Sequence, residues 1–284
     1  YDEYTLVVDS FNHQSSSING HIAKAGGLIT VSGHVEDFMG NRIEADGIIY
    51  PKVFDNERVV TCLNNEGYAD EPFVYNDRDR VLYSGSDSVK GGGFSFTFPV
   101  PLDINYSDEN GLILLYAEIE NGVVSANGSF SNFTIGGTAD DIEPDTDGPE
   151  VKMYLNNPDF RYGADVNMTP LFVADLFDKD GLNSSGNGLG HDIVVIIDNN
   201  PQYTYVLNSY FSSVTGDYSR GRVKFELPEL PVGKHNLMFR AWDVKNNSTT
   251  AYLEFNVVDG LILPNIKILT AMLFVTMWRG QPLL

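Results

Sequence analysis

At 284 residues the chain suits about two domains of ordinary size, each able to bury its own core. Lys plus Arg is 18 against 39 Asp plus Glu, a net charge of −21 whose field repels phosphate backbones and excludes nucleic acid as a partner. An apolar fraction of 42% excludes an acidic disordered chain, and the single cysteine, Cys62, excludes a disulfide framework or a cysteine-rich zinc site.

No signal peptide or charged targeting stretch opens the chain, and Tyr4–Asp9 already reads as a strand, so a fragment of a longer protein is expected. Helix signals are nearly absent before residue 260. Short apolar or alternating runs recur instead between Gly, Asn, Asp and Pro, the pattern of an all-β fold. Leu28–Val35, Gly47–Phe54, Val59–Leu63, Val81–Val89, Gly93–Val100, Leu112–Glu120 and Val123–Phe133 are predicted strands of the first half. Asp37–Asn41 and Lys90–Gly93 are predicted turns, and Asn121-Gly122 is the sharpest hairpin signal, since both residues tolerate positive φ. Pro99 and Pro101 should end or edge their strand.

Ala139–Pro149 is acidic, carries two prolines and lacks apolar periodicity, as an exposed linker would. Beyond it Val151–Leu155, Pro170–Phe177, Ile193–Asp198, Tyr203–Val206, Gly221–Leu227, Gly233–Val244 and Thr250–Val258 read as strands. Seven or so short strands in about 110 residues is the count of an immunoglobulin-like sandwich. The expected architecture is therefore all-β, with tandem β-sandwich domains. The first sandwich covers 1–138, the linker 139–149 and an immunoglobulin-like sandwich 150–259. An apolar tail at 260–284 breaks the pattern. That tail has no Asp or Glu, and its apolar run Ile268–Trp278 is too short for a membrane span, which needs about 20 residues.

Chemical candidates are few. Cys62 lies in a β-branched run without the glycine elbow or helix N-terminus that would lower a thiol pKa, so it reads as a structural thiol. Asp178 and Asp180 before Gly181 could bind calcium through carboxylate oxygens, as could Asp140 with Asp141 or Asp145 with Asp147, although none forms an EF-hand loop. Solvated turns are the alternative for all of them. Gly186–Gly190 resembles a nucleotide-binding glycine loop, but a strand follows it rather than a helix. His191 beside Asp192 lacks a placed nucleophile and reads as a loop-fixing residue. Trp242 reads as core or cross-strand packing, with sugar stacking as the alternative. No cofactor is expected beyond calcium.

Certain residues carry a resemblance. Thr30–Asp37, Gly47–Asp55, Ile135–Thr138, Asp147–Val151, Gly186–Ile193 and Ala241–Ser248 follow one another as in the C-terminal region of the gingipain-like cysteine peptidases that act as sortases of the type IX secretion system in Bacteroidota. The likeness covers about residues 1–260 and is more specific in the second half. It implies a cell-surface protein on the extracellular face of the outer membrane, with the peptidase domain and its His/Cys pair upstream. In that family the enzyme removes C-terminal sorting domains from cargo and attaches the cargo to lipopolysaccharide. The present chain would then be non-catalytic, positioning the peptidase or meeting outer-membrane secretion components. A surface adhesin or glycan-binding module is the rival reading. Family members continue into a β-rich sorting domain, so the tail reads as a frameshift after about Asp259 or Lys267.

Overall fold

The computed structural model describes residues 4–260 apart from positions 64, 66, 68–70, 107–108, 121 and 187–189. Asn121 of the expected hairpin turn, the middle of the glycine-rich loop and the tail after Gly260 lie outside the described residues. The described residues are all-β, with two single-turn 3-10 segments and no α-helix, as expected.

Alternation builds the first half. Ile29, Val31 and Val35 of strand Leu28–Asp37 point into one core, as do Phe94, Phe96 and Phe98 of Gly93–Pro99 and Ile113, Leu115, Ala117 and Ile119 of Leu112–Ile119. The sheet runs Leu112–Ile119, Val124–Phe130, Tyr4–Phe11, Leu28–Asp37, Gly93–Pro99, Asp87–Lys90, Gly47–Phe54. Gly47–Phe54 then pairs with Leu112–Ile119 from Gly47↔Ile119 to Phe54↔Leu112, so the sheet closes on itself like a barrel. One seam of the barrel is parallel, with Tyr4↔Ala126 and Thr5↔Asn127 in register among the described residues. A Cβ on Gly33 would lie 2.1 Å from the Val7 carbonyl oxygen, so only glycine lets these two strands approach.

The predicted strand Val81–Val89 is two strands, Val81–Ser84 and Asp87–Lys90, which pair in turn with the two ends of Gly47–Phe54. The break between them turns Ser86 toward the second half of the chain. Val123–Phe133 likewise splits, and Phe133–Thr138 leaves the barrel to pair with His21–Ala25, a strand the sequence did not predict. Arg58–Thr61 and Val74–Asp77 form a separate two-stranded hairpin.

The second half is a sandwich of two sheets. One orders Glu150–Leu155, Leu171–Phe177, Asp217–Glu226 and Phe211–Val214. The other orders Asp165–Val166, Ser248–Val257, Gly233–Trp242, Val194–Ile197 and Thr204–Val206. This is immunoglobulin-like strand order, with the short Asp165–Val166 strand running parallel to the last strand. Phe172 from one sheet and Phe239 from the other meet in the core at 5.4 Å between ring centroids. The two halves have separate cores, one spanning Leu6 to Ile135 and one Leu155 to Val257.

Phe98 is fully buried in the first core and stacks on Tyr83 at 5.7 Å. Phe98→Ala should destabilise the chain by about 3–5 kcal/mol in urea unfolding. A loss below about 1 kcal/mol would mean the barrel core is not packed as described.

Candidate functional site

The chemistry-bearing residues gather where the two halves meet. Asp178 follows strand Leu171–Phe177 and caps the turn after it: its Oδ1 accepts from the amides of Asp180 (2.9 Å) and Gly181 (3.3 Å). Asp243 follows strand Gly233–Trp242 and does the same for the next turn, accepting from the amides of Lys245 (2.9 Å) and Asn247 (2.7 Å) and from the Asn247 side chain (2.8 Å). Such side-chain caps are what Asp does best in turns. Asp145 reaches in from the linker, and one carboxylate oxygen each of Asp145, Asp178 and Asp243 lies within 4.8 Å of the others.

Burial dominates the electrostatics. Asp178 is 6% exposed and Asp243 fully buried. Desolvation pushes the Asp178 carboxyl up to about 6, the nearby Asp243 charge adding to the effect, and burial also raises Asp243. Asp180, expected to act with Asp178, instead faces two lysines, Lys179 at 2.7 Å and Lys245 at 3.0 Å. Lys179 also reaches Asp145 at 3.1 Å, and the oxygen set whose atoms converge closely enough to hold a hard cation is Asp145, Asp178 and Asp243, drawn from three separate segments. Asp243 was not singled out from the sequence; an Asp at the end of a strand with Asn four residues on, at Asn247, is the signal that could have found it.

The linker is held on both sides. Lys24 bridges to Asp140 at 2.9 Å, Ala139 donates to the Ala25 carbonyl at 3.0 Å, and Lys245 Nζ donates to the Glu143 carbonyl at 3.0 Å. The halves also touch directly. Leu102 donates to the Val244 carbonyl at 2.9 Å and Gly216 to the Ser86 carbonyl at 2.8 Å, while Tyr218 packs on the first core. Gly181 has φ +119°, and a Cβ there would meet Pro99 at 2.6 Å. That glycine sets how closely the halves dock.

His191 lies at the same junction. Its Nδ1 is 3.7 Å from Asp103 of the first half, and its ring lies 4.2 Å from that of Trp242. Asp103 is 3.7 Å from Arg80, which is 3.8 Å from the buried Asp55. Asp192 crowds Gly186: a Cβ at 186 would lie 2.3 Å from Asp192 Oδ1, and φ there is +68°. Asn208, which sequence reasoning passed over, ties the loop down by accepting from the Ile193 amide (3.2 Å) and donating to the Ser184 carbonyl (3.0 Å). Trp242 carries the Arg240 guanidinium 5.6 Å from its ring, and its buried indole N–H has no hydrogen-bond partner among the described residues. With His191 and Arg240 against it, the indole is not an open platform for a sugar. Cys62 is exposed near the hairpin, and no histidine bonds to its thiol among the described residues.

No protein-family model and no curated protein matches the chain. Its structure is similar to that of dimeric latent PorU from Porphyromonas gingivalis, with 32% identity and a TM-score of 0.57 over 92% of this chain and 25% of that one. The likeness marks the chain as a PorU-like all-β region that spans about a quarter of that protein's length. Two distant likenesses carry no argument: red sea bream transglutaminase (11% identity, TM-score 0.23, 89% of this chain and 31% of that one) and the sporulation control protein Spo0M of Bacillus subtilis (13%, 0.28, 79% and 89%).

Because the folded state holds the Asp178 proton more tightly than the unfolded state, the stability it confers is complete below about pH 4 and is lost as pH rises through about 6. Asp178→Asn keeps the Oδ1 acceptor for the turn amides but cannot ionise. Measured in EDTA, wild type should lose stability relative to this variant between about pH 4 and 6.5. Parallel pH profiles for the two proteins would show that Asp178 carries no such shift.

Proposed function

We propose that this chain is the non-catalytic β-rich region of a surface cysteine peptidase of the type IX secretion sortase kind, and that it acts as a rigid spacer for the peptidase domain. One observation carries the spacer reading. The two halves are joined by a linker bonded on both faces, by direct backbone hydrogen bonds and by Tyr218 seated on the first core. Inter-domain motion is the default where few contacts cross a boundary, and here many do. The likeness to PorU over about a quarter of that protein's length supports reading this chain as one region of such a protein. Cleavage of sorting domains, attachment of cargo to lipopolysaccharide, partnership with outer-membrane secretion components and a place on the outer face of the cell belong to the whole protein under this proposal. Among the described residues no helix is long and apolar enough to cross a membrane.

The test is a distance measurement between spin labels on Leu114 of the barrel and Tyr252 of the sandwich, each replaced by Cys in a Cys62→Ser background. Both side chains are exposed, at 43% and 63%. One narrow distance distribution is expected, and the unlabelled chain should cleave no peptide. A broad distribution would refute the spacer, and peptidase activity that vanishes with Cys62→Ser would refute the non-catalytic reading.

Calcium at Asp145, Asp178 and Asp243 is proposed as a stiffener of this junction, since an ion there would offset the repulsion between two buried carboxylates. Millimolar calcium should then raise the Tm of the wild-type chain and leave that of Asp178→Asn unmoved. An equal rise in both, or none in either, leaves the three carboxylates as turn caps only.

A further inference from the structure

The outer face of the four-stranded sheet in the second half forms an open groove of about 840 Å³. Its charge is opposite in sign to the chain that carries it. Lys152, Arg220, Arg222 and Lys224 line it against Glu150 and Asp175, four cations to two carboxylates, in a protein of net charge −21. Asp217 outside the groove lies 3.7 Å from Arg220, and Asp175 binds Arg222 at 2.5 Å. Lys152 and Lys224 have no ion-pair partner among the described residues. These charges are held in place: Lys152 faces Asp175 across the strand pair, Asp175 faces Arg222, and the Arg220 guanidinium sits 5.0 Å from the Phe177 ring.

The spacing is as informative as the sign. Arg220, Arg222 and Lys224 alternate with Gly221 and Val223, which are buried, so the three cations stand on one face of one strand. Same-face residues of a strand repeat about every 6.8 Å, and an extended peptide presents its own alternate side chains at that same repeat. A row of cations with this period is complementary to carboxylates at every second position of an extended chain. Elsewhere the field of the protein repels such a chain, so the groove is where it would settle.

We propose that this groove docks an extended acidic segment of a partner protein, with Asp or Glu at alternate positions lying along Arg220, Arg222 and Lys224. The proposal is independent of the spacer role, and neither stands or falls with the other.

The experiment uses the whole 284-residue chain and fluorescent nonapeptides in polarisation titrations at low and physiological salt. One peptide alternates Asp with Thr, its isomer gathers the same Asp residues into one block, and dextran sulfate competes as a polyanion that is not a peptide. The alternating peptide is expected to bind more tightly than its isomer, with affinity falling as salt rises. The double variant Lys152→Gln/Lys224→Gln leaves both arginine ion pairs in place. It should weaken binding roughly tenfold, a loss of about 1.4 kcal/mol, at unchanged Tm. Equal binding of the two peptides, undiminished binding by the double variant, or dextran sulfate competing as tightly as the unlabelled alternating peptide would each overturn the proposal. So would a dimer of this chain that the same double variant dissolves, because the occupant would then be a second copy.

Discussion

Two buried carboxylates shape the surface on which the halves meet. Asp178 and Asp243 cap turns at the same end of the sandwich, one after a strand of each sheet, and each accepts from the amides of its own turn. Those turns place Gly181 and Val244 against Pro99 and Leu102. Without the caps, several amides at the junction would lose their acceptors, and an unpaired buried amide costs about as much as the bond it lacks. Docking of the halves thus rests on side chains that never cross the boundary. Both carboxyls are also harder to ionise in place than in water, so the junction keeps its geometry at an electrostatic cost.

The surrounding acidity makes the few cations informative. Lys179 and Lys245 converge on Asp180, and Lys245 also reaches the linker backbone, so the cations nearest the buried acids also clamp the chain between the halves. Arg80 stands between Asp55 and Asp103 on the side facing His191. On the outer face of the four-stranded sheet, by contrast, basic residues line up along a strand with too few acids to match them. Exposed pairs of this kind contribute little to stability one by one, so their arrangement speaks more to recognition than to folding.

The sequence showed the strands wherever burial on one face imposed alternation, as along Phe94, Phe96 and Phe98 or Val223, Phe225 and Leu227. It did not show which strands pair. Closure of the barrel depends on Gly47–Phe54 meeting Leu112–Ile119, and no local period encodes a partner some sixty residues away. Strand His21–Ala25 was missed because five residues with one lysine and two alanines barely alternate. The site is hard to read for a related reason. Asp178 was expected to act with Asp180, whereas its carboxylate clusters with Asp145 and Asp243 from other segments, and His191 lies beside Asp103 of the first half. The turn that Asp178 caps sets where the neighbouring side chains point, so adjacency in sequence is poor evidence for adjacency of side chains.

The parallel seam of the barrel has a kinetic consequence. Tyr4 and Thr5 pair with Ala126 and Asn127, at the other end of the first half, and the pairing among the described residues is two residues long. Contacts so distant in sequence are slow to form because the chain must close a long loop before it gains from them. Until the end of the first half arrives, the outer edge of the first strand has only the short local pairing of Ser10 and Phe11 with Ser15 and Gln14. During that interval it is open to pairing with other chains. The seam that completes the barrel is also the step at which its folding is most exposed to error.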